Sequence, residues 1–147
     1  MALSPLQMTQ TASSTPVQEP QLVDNTKPLT PSKTYRINFE TGEIENVFVD
    51  GIDALKQSIF KAILTPRYRY LMYSTDYGSE IESVLSEQLP PIFLQQEIQR
   101  LIQDALSVDD RIADLTNFSF STVDTSMYIS FDVTTRDGFT FTQEVNM

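Results

Sequence analysis

The chain has 147 residues, enough for one compact domain, and 40% of them are hydrophobic. It contains no Cys, His or Trp, which excludes disulfides, thiolate or imidazole metal sites, and every nucleophile or general base built on Cys or His. Its formal charge of −10 opposes binding to nucleic acid and to anionic membrane surfaces.

Residues 1–33 hold five of the eight prolines among Gln, Ser and Thr. Such a segment buries too little surface to offset its ordering entropy, so it reads as a flexible, Pro-stiffened arm. Leu3, Leu6, Met8, Val17, Leu22 and Val23 would be the anchors of an arm that orders against a neighbouring subunit. The segment lacks the basic start and apolar run of a secretory leader, and no stretch is apolar for the length of a membrane span. Lys27 and Lys33 balance Glu19 and Asp24, so the body, 34–147, carries the whole negative charge.

The body opens with a hairpin. Tyr35, Ile37 and Phe39 alternate with polar residues, Thr41-Gly42 turns the chain, and Ile44 to Val49 returns. Asp50 is placed to cap the next helix, with Asp53 in its first turn. Ile52, Leu55, Ile59, Ala62 and Ile63 form one apolar stripe, predicting a helix over 52–64 that Pro66 stops. Arg67 to Tyr73 (RYRYLMY) alternates and is rich in aromatics, which predicts a central strand. The loop at 74–78 follows, and Ser79 with Glu82 reads as the capping box of a short helix near 80–88. Pro90-Pro91 opens a longer helix, 91–107, with Leu94, Ile98, Leu101, Ile102 and Ala105 on its apolar face.

The last forty residues read as a three-stranded antiparallel meander. Phe118 and Phe120 alternate with serines, Asp124-Thr125-Ser126 turns, and Ile129, Phe131 and Val133 alternate with polar residues. Asp137-Gly138 makes a second turn, and Phe139, Phe141 and Val145 follow. The fold class is α+β: a mainly antiparallel sheet, from an N-terminal hairpin, a central strand and this meander, packed with two longer helices and a short one.

Few enzyme chemistries remain. The four glycines stand singly, so there is no phosphate loop. Lys56 and Lys61 lie on the outer side of the first helix, without the desolvation that would activate them. Asp109, Asp110 and Asp114 lack the spacing of a calcium loop. A carboxylate pair drawn from Asp76, Glu80 and Glu82 is the one surviving catalytic arrangement, that of a small peptidoglycan glycosidase. The residue pattern implies no cofactor and no metal. Two stretches read as binding surfaces. One is 65–80, where four tyrosines and two arginines crowd together in the composition of interface hot spots. The other is the last strand, which carries no proline and few charges, and so forms an edge able to accept another strand.

The run Thr34 to Gly42 (TYRINFETG) leads through Val49-Asp50-Gly51 to Leu55-Lys56-Gln57. Thr65, Arg67-Tyr68, Tyr73-Ser74 and Tyr77-Gly78-Ser79-Glu80 come next, then Asp109-Asp110-Arg111-Ile112 and Phe118-Ser119-Phe120. This pattern resembles the sheath-initiator family of contractile phage tails and phage-tail-like bacteriocins, also called lysozyme-like baseplate wedge proteins, over about residues 34–145. Thr65-Pro66-Arg67 stands where many members carry a Glu-Arg pair. The resemblance implies a non-enzymatic baseplate protein, made in the bacterial cytoplasm and mature in the particle, with six copies around the hub. Its implied partners are the tail sheath protein and the wedge and hub or tube-initiator proteins, with neither nucleic acid nor membrane among them. On that reading Arg67, Tyr68, Arg69, Tyr73, Tyr77, Gly78 and Glu80 form a conformation-fixing and partner-binding centre. Phe139, Thr140, Phe141, Thr142, Gln143, Glu144 and Val145 form the strand that pairs with the sheath.

Overall fold

The computed structural model describes residues 32–147; the arm anchors named above lie outside them. The element order is β1 (Thr34–Ile37), β2 (Ile44–Val49), α1 (Gly51–Leu64), α2 (Ile81–Ser86), α3 (Pro91–Leu106), β3 (Ile112–Val123), β4 (Ser126–Thr135) and β5 (Thr140–Asn146). The α+β class holds, with the strands divided into two antiparallel sheets, β1-β2 and β3-β4-β5.

Sequence periodicity accounts for the two long helices. Asp50 is extended and accepts a hydrogen bond from the Gly51 N–H at 2.7 Å, capping α1. The helix then buries Ala54, Leu55, Ile59, Ala62 and Ile63. α3 begins at Pro91, whose missing N–H costs nothing in a first turn, and buries Ile98, Leu101, Ile102, Ala105 and Leu106. Both stripes face the meander. β4 supplies Ile129, Phe131 and Val133, each at most 1% exposed, and β5 supplies Val145. Phe118 of β3 stacks on Phe131 with ring centroids 5.2 Å apart. The core therefore lies between a helical layer and one face of the sheet, with Ile81 of α2 closing its end.

The N-terminal hairpin sits outside this core. Its Tyr35, Ile44, Val47 and Phe48 are all exposed. Gln57 of α1 fastens it through the side chain: its Oε1 accepts from the Ile37 N–H at 2.8 Å, and its Nε2 donates to the Tyr35 carbonyl at 2.7 Å. The amide occupies the outer edge of β1 as a neighbouring strand would. Phe39 packs on Phe60, with centroids 4.3 Å apart.

Two expectations are corrected. The stretch 67–73 is not a strand. It belongs to an irregular connection, 65–80, whose only strand-like contact among the described residues is a parallel bridge between Pro66 and Ser79. Tyr68 stands at φ +64°, a left-handed conformation that breaks the extended backbone of a regular strand. Nor do Ser79 and Glu82 form a capping box. The Ser79 hydroxyl instead turns inward to the Ile63 carbonyl at 2.5 Å, and α2 starts after Glu80 with no side-chain cap.

Candidate functional site

The connection 65–80 is built around Arg67, whose side chain is only 11% exposed. Its Nε and Nη2 both donate to the Gly78 carbonyl, at 3.2 and 3.0 Å, and its Nη1 reaches Asp104 of α3 at 2.7 Å. Glu80 stands 3.7 Å from the same nitrogen. Burial alone would lower the pKa of this guanidinium. The hydrogen bond and charge of Asp104, aided by Tyr68 and Glu80, outweigh that and raise it. Two backbone bonds lock the base of the loop: Arg67 N–H to Ser79, and Ser79 N–H to Thr65, both 2.9 Å.

Gly78 is required by this closure. It sits at φ +97°, and a Cβ there would lie 2.6 Å from the Thr65 carbonyl oxygen. Tyr77 packs on Tyr73 at 4.7 Å, and Lys61 lies over the Tyr73 ring at 5.5 Å. Burial, with Tyr73 and Asp109 nearby, pushes the Tyr77 phenol above its ordinary value. Arg69 points the other way, pairing with Glu82 at 3.3 Å on the surface.

Arg67, Gly78, Glu80, Tyr73 and Tyr77 therefore come together and set the shape of the loop, while Tyr68 and Arg69 face solvent. The tip also presents Leu71 and Met72, which are 105% and 81% exposed. The alternation of residues 67–73 does not mark these two side chains. Two consecutive large apolar residues within an apparent strand were the available signal, because alternation cannot bury both.

Glu80 and Glu82 line an open groove beside Arg67 and Arg69. Both are exposed, and each faces a guanidinium. The general acid of a carboxylate pair needs an apolar pocket instead. Asp76 is exposed in the turn before Tyr77.

The second surface is the outer edge of β5. Met127 and Met147 exchange both backbone hydrogen bonds, at 2.9 Å each. Antiparallel pairs alternate between bonded and non-bonded types. With the observed register, Val145, Gln143 and Phe141 are then bonded to β4, opposite Ile129, Phe131 and Val133. Thr140, Thr142, Glu144 and Asn146 turn their N–H and C=O groups outward. Among the described residues, no strand lies on that side. The Glu144 carbonyl accepts a hydrogen bond from the Gln143 side chain at 3.1 Å. The pairing of β4 with β5 runs without a register shift, so the exposed edge is regular.

A family model for the contractile injection system sheath initiator matches residues 33–138. The chain is 37% identical over 115 residues to the phage-like element PBSX protein XkdS of Bacillus subtilis strain 168, covering 78% of this chain and 82% of that protein. A crystal structure from Geobacter sulfurreducens, described as a tail lysozyme, superposes with a TM-score of 0.60 at 18% identity, covering 70% of this chain and 95% of the other. At that identity the likeness is one of fold. The family match ends at Gly138, so β5 is judged on the geometry of this chain.

Proposed function

This chain belongs to the sheath initiator family of contractile injection systems, and from that premise we propose that it is a non-enzymatic baseplate protein that joins the baseplate to the sheath and nucleates sheath assembly by accepting a strand on β5. The observation that carries this reading is the regular outer edge of β5, where four residues direct their backbone groups away from the sheet. Unpaired strand edges invite association, and natural proteins blunt them unless a partner covers them. Here the edge carries no proline and one charge, Glu144.

The 65–80 loop serves the other side of the joint. Arg67, Gly78, Glu80, Tyr73 and Tyr77 hold it rigid, and Tyr68, Arg69, Leu71 and Met72 offer the contact to a wedge or hub protein. A pre-formed apolar tip loses little entropy on docking. The mature location is the baseplate of the particle, with six copies around the hub.

A producing strain lacking this chain tests the role. Negative-stain electron microscopy should show baseplates or bare tubes without sheath, restored by the full-length chain. Sheathed tails in its absence would refute it. The glycosidase alternative predicts lysis in a cell-wall gel that is lost on Glu80→Gln or Asp76→Asn; no lysis by the full-length chain removes it.

A further inference from the structure

Next to the start of β5, α1 and the β4–β5 turn enclose a groove of about 260 Å³. Ile52, Leu55, Thr135 and Phe139 line it beside Arg111, Arg136 and Asp137, and Arg111 is already paired with Asp109 at 2.6 Å. Phe139 is 60% exposed even though it immediately precedes β5. A strand laid along the outward groups of residues 140–146 has one end over this groove. At its other end stands Glu144, the one charged side chain on β5, with no ion-pair partner among the described residues.

We infer that the sheath strand added to β5 seats a large apolar side chain in the Ile52–Leu55–Phe139 groove and places a basic side chain over Glu144. This rests on the strand-acceptance reading proposed above. The two anchors are different in kind and lie at opposite ends of the edge, so together they fix the direction and register of a strand that backbone bonding alone would leave free to slip. The groove opens on the core-facing side of the sheet, where Phe139 leads into Phe141, whereas Glu144 lies on the solvent side. Side chains alternate along a strand, so the incoming segment carries its apolar and basic residues about five positions apart, on opposite faces. A basic strand also suits a chain of formal charge −10.

Binding of the full-length chain to the full-length sheath protein of the same particle tests this. Phe139→Ser should weaken binding about tenfold at every salt concentration, because it empties one wall of the groove. Glu144→Lys should weaken it about tenfold in dilute salt, with the gap closing as ionic strength rises. Changing the matching basic residue of the sheath strand to Glu should restore binding to Glu144→Lys. Should Phe139→Ser shift the melting temperature, Phe139→Leu and Glu144→Gln replace the first pair, with smaller losses in the same order. Unchanged binding by these variants, alongside loss in Thr142→Pro, would overturn the anchors and leave the edge reading intact. Unchanged binding by Thr142→Pro would overturn both.

Discussion

β3 and β5 flank the same central strand, yet their outer edges are finished in opposite ways. β3 shifts register twice against β4, between Ile112 and Asp114 and between Thr116 and Ser119. At the second irregularity Asn117 adopts φ +55°. Such bulges twist an edge and interrupt its row of donors and acceptors, a common protection against unwanted pairing. β5 keeps an unbroken register over its whole length. One edge is therefore blunted and the other left regular. The contrast teaches that openness here belongs to one strand, and is not a general property of a small sheet.

The largest expected effect comes from breaking what the two edges share. Phe131 is fully buried in β4 and packs on Phe118. Phe131→Ala should cost about 3–5 kcal/mol in urea unfolding through loss of burial and cavity formation, abolishing both edges together. A loss below about 1 kcal/mol would mean that the sheet is held from elsewhere.

Next in size is an attack on the blunted edge alone. Asn117→Val places a β-branched residue in a left-handed conformation, which should cost about 1–2 kcal/mol. Sheath assembly should proceed normally at temperatures where the variant is folded. Failure of assembly in a folded variant would show that β3 also takes part.

The smallest effect reads the two edges from their shared strand. Asp132 of β4 accepts hydrogen bonds from Thr142 of β5 at 2.6 Å and from Asn117 of β3 at 2.8 Å. Thr142 foremost, then Asn117, hold its carboxyl below the ordinary 3.8. A lowered folded-state value means that the contribution to stability is full above the unfolded pKa and is lost as pH falls through the folded one. In an NMR titration Thr142→Val should raise the Asp132 midpoint more than Asn117→Ala does. The reverse order would place the stronger tie on the bulged side.

The meander that carries this contrast was legible in the sequence. The alternation in Ile129, Phe131 and Val133, and the Asp137-Gly138 turn, gave the meander, because a half-buried sheet writes its faces into a period of two. The stripes of α1 and α3 were as readable. The bulges of β3 were not, since Asn117-Phe118-Ser119 fits a continuous strand as well as a kinked one. The 65–80 loop failed for a different reason. Arg67 to Tyr73 has the composition of a strand, but strand preference reflects the fit to neighbouring strands, and none among the described residues lies beside it. What organises the loop is Arg67 reaching the Gly78 carbonyl and Asp104 of α3, distant in sequence, which no local pattern records. The family resemblance grouped Arg67, Tyr68, Arg69, Tyr73, Tyr77, Gly78 and Glu80, though not that Arg67 turns inward while Tyr68 and Arg69 face solvent and Leu71 and Met72 form the tip.

The most direct test compares proline at two adjacent positions of β5. The Gln143 N–H points to β4, and the Thr142 N–H points outward. Proline is tolerated in an edge strand only where its missing donor faces away from the sheet. Gln143→Pro should therefore unfold the sheet. Thr142→Pro should melt close to the parent chain, enter baseplates, and leave tubes without sheath when tails are viewed by negative-stain electron microscopy. Normally sheathed tails carrying folded Thr142→Pro would contradict strand acceptance at β5.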